Sequence, residues 1–184
     1  QINAFASGRD PKHAVIAVTT GTLNKLTKPE LEGVLAHELS HIANYDIRFM
    51  TLTAVLVGMI AIISQIFLRS LFWSSVFGGR NSRGNSGAIF MIIGIALAIL
   101  APIIVMLVQL AISRKREYAA DSSAVKFTRT PTGLIGALKK IKHNTPMKVS
   151  GAVAPLFLAK PMKEKEWFQT HPPLSKRISR LEKM

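Results

Sequence analysis

The chain has 184 residues, with 24 Lys and Arg against 10 Asp and Glu (formal charge +14), 48% hydrophobic residues and no cysteine. A soluble nucleic-acid binder of that charge would be poor in apolar residues, so the composition argues against nucleic acid as a partner. Without cysteine there is no disulfide framework, thiolate metal site or thiol nucleophile, and a transition metal must draw on His13, His37, His41, His143 or His171.

A helix starts at Thr27. Thr27 can cap it, Glu30 completes a capping box, and Pro29 fits the first turn. Leu31, Val34, Leu35, Leu39 and Ile42 then recur at helical spacing and predict its apolar face. The same helix carries His-Glu-x-x-His as His37, Glu38 and His41. Histidines at i and i+4 stand one turn apart on one face, so both imidazoles can reach one Zn²⁺. Glu38, next to the first histidine, is placed to act on the metal's water.

Two uncharged apolar runs follow, Thr51 to Leu68 and Ala88 to Ile112. At about 18 and about 25 residues they match the roughly 17–25 needed to cross a bilayer. Pro102 inside the second run is tolerated more readily in lipid than in water. A pair of buried core helices is the alternative, but a chain this short offers little protein to cover them. Between the runs, Gly78 to Gly87 is rich in Gly, Asn and Ser and reads as a loop. The two helices therefore form a transmembrane hairpin with both polar flanks on one side.

The hairpin loop holds Arg69, Arg80 and Arg83, and every other Lys and Arg lies on the flanks. Arg48, Arg114, Lys115, Arg116 and Lys126 are the flanking cations nearest the runs. The positive-inside rule then sets the flanks in the cytoplasm. Both runs are internal, so neither is a signal peptide. The chain opens at Gln1 without methionine, as a fragment of a longer protein would.

After the second run, Glu117 and Asp121 are spaced i, i+4 on a segment of good helix formers. A carboxylate here could be the third metal ligand, with Asp121 holding a histidine ring through its N–H. On spacing alone the pair reads first as solvated acids beside Arg114, Lys115 and Arg116.

Glu117-x-x-x-Asp121 downstream of His-Glu-x-x-His resembles the gluzincin metallopeptidases. With a membrane hairpin between the two elements, the chain resembles the HtpX-type membrane zinc metalloproteases. Further motifs agree in order: Asn3 to Gly8 and Ala17 to Gly21 resemble the family's first strands. Thr170, His171, Pro172 and Pro173, with Arg177 and Ile178, resemble its C-terminal signature. The likeness runs from about Asn3 to about Leu181, apart from the hairpin and the stretch from Thr145 to Lys165. It departs at Asn44-Tyr45-Asp46, where the family pattern has glycine in the middle. The family also carries two further N-terminal membrane helices.

The resemblance implies His37, His41 and Glu117 as ligands of one Zn²⁺, Glu38 as general base and Asp121 as a support behind a ligand. It implies His171 and Arg177 as candidates for stabilising the oxyanion, and Asn3 and Ala4 as edge-strand residues that pair with a substrate backbone. Taken from the residues alone, His171 before two prolines reads as a capping or surface histidine, and Arg177 as a surface helix residue. An edge strand is a template for an extended peptide, although a buried strand shows the same alternation.

His13 and His143 match no motif and read as structural or surface residues. Lys139, Lys140 and Lys142 read as a solvated helix face near anionic lipid, since no aromatic residues interleave them.

The expected fold is mainly α with a small β-sheet: a gluzincin-like protease domain interrupted by a transmembrane hairpin. Residues 1–49 hold the edge strand and zinc helix, 50–113 the hairpin, and 114–184 the third-ligand helix and the His-Pro-Pro motif. The expected activity is zinc-dependent endopeptidase cleavage of membrane or misfolded proteins at the cytoplasmic face, in quality control at the cell membrane. The implied partners are a polypeptide substrate and the lipid bilayer. His41 lies about nine residues before the first run and Glu117 about five after the second, which predicts a metal close to the membrane surface. Two other readings fit the same motifs: a relative of the CAAX prenyl proteases, with more membrane helices enclosing a chamber, and an inactive membrane scaffold that retains the zinc motif.

Overall fold

The computed structural model describes residues 2–77, 85–142 and 171–184. The hairpin loop around Arg80 and Arg83, His143, the stretch from Thr145 to Lys165, and Thr170 lie outside the described residues. Two strands, β1 (Ala4–Gly8) and β2 (Ala14–Val18), pair antiparallel with Ala4 opposite Val18 and Gly8 opposite Ala14. The 3-10 turn Pro11–His13 joins them, capped by Asp10, whose carboxylate accepts from the Lys12 and His13 amides at 3.0 Å. Six helices follow among the described residues: α1 (Thr20–Lys25), α2 (Lys28–Ala43), α3 (Asp46–Phe77), α4 (Asn85–Thr128), α5 (Thr132–Lys142) and α6 (Leu174–Leu181). The fold is mainly α with one small sheet and two long apolar helices, as the sequence predicts.

The chain divides into two units, one of Gln1–Met50 with Leu110–Met184 and one of Thr51–Gln109. In the first, α2 packs chiefly on α5 and on β1. Val34 and Ala36 from α2, Leu134 and Leu138 from α5, and Ile178 and Leu181 from α6 build its core. The helix-to-helix approach is set by two glycines. A Cβ on Gly33 would stand 2.5 Å from the Leu134 amide nitrogen, and one on Gly133 would stand 2.2 Å from the Pro29 carbonyl oxygen.

Thr27 and Glu30 do start α2, the Thr27 amide donating to the Glu30 carboxylate at 2.7 Å. The buried face of α2 differs from the expected one. Leu35 and Leu39 are exposed, while His37, Glu38 and Ser40 join Val34 and Ile42 inside. The helix turns this polar face inward, where its histidines meet the buried carboxylates of α4. Lys139 and Lys140 stay at the surface, paired with Glu182 at 3.0 Å and Glu30 at 2.6 Å. His13 is exposed and paired with Asp10 at 2.8 Å.

In the second unit the surface is apolar: Leu52, Val55, Ile62 and Ile66 on α3 and Ile92 and Leu97 on α4 are all more than half exposed. Two helices among the described residues, Asp46–Trp73 and Met91–Thr128, are long and apolar enough to cross a membrane. Apolar side chains exposed around a helix suit lipid as the solvent. Inside this unit Gly94 lies against Phe67, where a Cβ would come within 2.9 Å of the ring, the close approach that small residues allow between membrane helices.

Candidate metal centre

His37 and His41 lie one turn apart on α2, their rings edge to face with centroids 4.8 Å apart and their Nε2 atoms 3.2 Å apart. Glu117 comes from α4 with one oxygen toward each: Oε1 is 3.5 Å from His41 Nε2, and Oε2 is 3.6 Å from His37 Nε2. One donor atom from each of these three residues lies within 4.8 Å of the others, so the set could hold a metal ion. Ser40 ties the two helices behind it, its hydroxyl donating to the His37 carbonyl at 2.6 Å and the Ala120 carbonyl at 3.3 Å.

Each histidine has a carboxylate on its other ring nitrogen. His37 Nδ1 is 3.1 Å from Asp121 Oδ1, and His41 Nδ1 is 2.7 Å from Asp46 Oδ2. A ring that gives its Nδ1–H to a carboxylate presents the Nε2 lone pair on the other side. Two such lone pairs facing each other at 3.2 Å repel, unless a cation lies between them.

Charge counting agrees. The buried acids among the described residues are Glu38, Asp46, Glu117 and Asp121, and the arginines paired with them are Arg177 and Arg116; their other partners are histidines. With neutral imidazoles that leaves two negative charges, which a divalent ion would neutralise. Glu117 Oε2 is also buried with no hydrogen bond. The residues present therefore fit a divalent metal.

Arg177 is fully enclosed. It holds Asp121 through a two-pronged pair, Nε to Oδ2 at 2.9 Å and Nη2 to Oδ1 at 2.6 Å, and places Nη1 3.2 Å from Glu117 Oε2. Its Nη2 stands 3.3 Å from His37 Nε2. The surrounding carboxylates outweigh burial and raise its already high pKa, so it is a permanent cation. His171, 16% exposed, puts Nδ1 3.0 Å from Glu117 Oε1. The structure thus brings His37, Glu38, His41, Glu117, Asp121, His171 and Arg177 into one cluster.

Asn3 and Ala4 are not among the residues able to hold a metal. The Asn3 carbonyl accepts from the Thr19 amide at 3.0 Å and its amide donates to Thr22 Oγ1 at 2.8 Å. Strand alternation then turns the Ala4 N–H away from β2, and it donates to the Asn3 side chain at 3.0 Å.

Burial pushes the Glu38 carboxyl above the usual carboxylate range, against the pull of His37 and His41. Burial and Arg177 push His37 down, but its hydrogen bonds to Asp121 and Glu117 bring it above the ordinary imidazole value. Glu117 likewise outweighs burial at His41. Asp46 and Arg116 were not singled out in the sequence. Asp46 follows His41 across a helix break, and Arg116 looks like one more cation in a basic stretch, so neither falls on a helical spacing that marks it.

Known proteins resemble this chain over nearly its whole length. The model of peptidase family M48 matches residues 1–184. A protease HtpX homolog of Listeria monocytogenes is 49% identical over 99% of this chain and 64% of its own length. Those of Caldanaerobacter subterraneus and Ligilactobacillus salivarius are each 47% identical, over 100% and 99% of this chain and 63% of their own lengths. The chain thus spans a little under two thirds of these relatives. No solved structure is a significant match. By its matched length and its HtpX-like motifs, the chain belongs to peptidase family M48.

Proposed function

We propose that the protein is a zinc-dependent endopeptidase of the cell membrane that cleaves membrane or misfolded polypeptides at the cytoplasmic face, as part of protein quality control. The observation that carries this reading is the convergence of His37, His41 and Glu117 from two helices, with Glu38 buried beside them. Two imidazoles and one carboxylate suit zinc and leave a fourth position open, the pattern of catalytic rather than structural sites. Bound there, zinc supplies Lewis acidity toward a carbonyl and lowers the pKa of a water.

Glu38 accepts the proton of the attacking water and passes it to the leaving amine. Its burial keeps the carboxylate basic enough for that task. His171, partly open to solvent beside Glu117, is the direct donor to the oxyanion in this reading. Arg177 adds its fixed positive charge from beneath while it holds Glu117 and Asp121. An extended substrate would pair along the edge of β1 that turns away from β2, beginning at Ala4, whose N–H would have to exchange the Asn3 side chain for the substrate; Asn3 itself bonds inward through its main chain. Orientation follows from the cations, which are more numerous on the flanks than in the hairpin loop. A membrane-anchored site of this kind would meet membrane-protein segments and chains emerging in the cytoplasm.

The test is cleavage of an unfolded membrane protein in liposomes. Wild type should contain one zinc by elemental analysis and cleave. Glu38→Gln should keep the zinc and lose turnover by at least ~10²–10⁴-fold. Full activity in Glu38→Gln would overturn the mechanism.

A further inference from the structure

The two histidines are gripped alike, and the motifs mark only one of the grips. Behind His37 stand Asp121 and then Arg177. Behind His41 stand Asp46 and then Arg116, which bonds the Asp46 oxygen that His41 leaves. Asp46 is only 5% exposed and opens α3. The link from α2 is two residues, Asn44 and Tyr45, and Tyr45 has φ 56°, in the left-handed region. That turn reverses the chain enough to bring the Asp46 carboxylate back to the ring five residues earlier.

Arg116 makes a second bond at the same place, Nη2 to the Asn44 carbonyl at 2.9 Å, and its guanidinium lies 4.7 Å from the centre of the Phe49 ring. It directly precedes Glu117 on α4. One side chain therefore connects the end of α2, the start of α3 and the turn of α4 that presents the carboxylate ligand.

We propose that Asp46 and Arg116 are a positioning pair for the metal. Asp46 fixes the His41 ring with Nε2 toward Glu117, and Arg116 holds Asp46 and sets the spacing between His41 and Glu117. This rests on the reading of the cluster as a metal centre. A carboxylate on Nδ1–H removes ring rotation and makes Nε2 a stronger donor, and loss of such a partner typically weakens metal binding by ~10–100-fold.

The experiment measures zinc affinity by chelator competition, and the visible absorption of the Co²⁺-substituted protein, for the full chain in detergent. Asp46→Asn keeps shape and an acceptor for His41 but loses the charge; it should weaken zinc binding by ~10-fold, and Asp46→Ala by ~100-fold. Both should alter the Co²⁺ bands, which report ligand geometry and not fold stability. Arg116→Ala should weaken zinc binding, and Arg116→Lys should restore part of the loss. Adding Arg116→Ala to Asp46→Ala should cost less than Arg116→Ala costs alone, because part of what Arg116 does passes through Asp46. Unchanged affinity and Co²⁺ bands in Asp46→Ala, or additive losses in the double variant, would overturn the pairing. Where Asp46→Ala does not fold, the comparison of Asp46→Asn with Arg116→Lys decides by the same criteria. If wild type binds no zinc, the metal reading itself falls, and the pairing with it.

Discussion

Glu38 has 3% of its surface exposed, and burial raises its carboxyl pKa above the ordinary 4.5. A carboxyl whose folded pKa is raised gives its full stabilising contribution below pH 4.5 and loses it as pH rises through the folded pKa. At neutral pH its ionised form, the one the proposed mechanism needs, therefore costs stability. In chelated protein, Glu38→Gln should raise the melting temperature at pH 7, and the gain should shrink to nothing as pH falls to 4.5. Tyr45 carries a second cost. Its φ of 56° puts a side chain in the left-handed region, which costs roughly 1–2 kcal/mol. The Tyr45 side chain is half exposed, so Tyr45→Gly loses little packing and should raise the melting temperature slightly, with zinc affinity unchanged. At this scale the sequence marked His37, Glu38 and His41 through helical spacing alone. Asp46 and Arg116 were hidden because their partners are reached across a helix break and across 70 residues of chain.

The helices show the same division between local and long-range information. The start of α2 could be read from Thr27 and Glu30 because a capping box is a contact within four residues. Its buried face could not, since Leu35 and Leu39 suggested a core and the structure turns His37, Glu38 and Ser40 inward instead. Periodicity reports which side is apolar; it does not register that charged partners on another helix can outweigh two leucines. α4 raised a similar difficulty, because the apolar run and the Glu117 segment look different in composition yet form one helix through Pro102. Gly33 and Gly133 are also silent in the sequence and decisive in the fold. Gly33→Ala would force a methyl into the backbone of α5 at 2.5 Å, one turn before His37 on α2. It should destabilise the protein by about 1–3 kcal/mol and weaken zinc binding as well. Gly58, which has open space around its Cβ position, is the control. Gly58→Ala should leave the melting temperature unchanged or slightly higher.

The whole molecule combines a net charge of +14 with a unit whose exposed residues are largely apolar. Those two properties are compatible when lipid covers the apolar unit and the cations remain in water. Overall charge alone would have suggested nucleic acid; its distribution around two apolar runs argues for membrane orientation instead. The proposed hairpin requires Lys25, ahead of α2, and Ser82, between α3 and α4, to lie on opposite sides of the bilayer. The chain has no cysteine, so a single introduced thiol reports its own side without background. Lys25→Cys and Ser82→Cys would each be treated with a membrane-impermeant maleimide in inside-out and right-side-out vesicles. Lys25→Cys should react only in inside-out vesicles, where the cytoplasmic face is outward, and Ser82→Cys only in right-side-out ones. The reverse pattern would keep the hairpin and overturn its orientation, whereas labelling of both from one side would overturn the spanning hairpin itself. Neutralising Arg80 and Arg83 should leave the pattern intact, because it increases the charge difference that orients the helices. Neutralising Arg48, Arg114 and Lys115 works in the opposite sense and should yield a mixed population. These three cations, unlike Arg116, have no part in the proposed Asp46 pair, so any change in labelling would report orientation and not the integrity of the site.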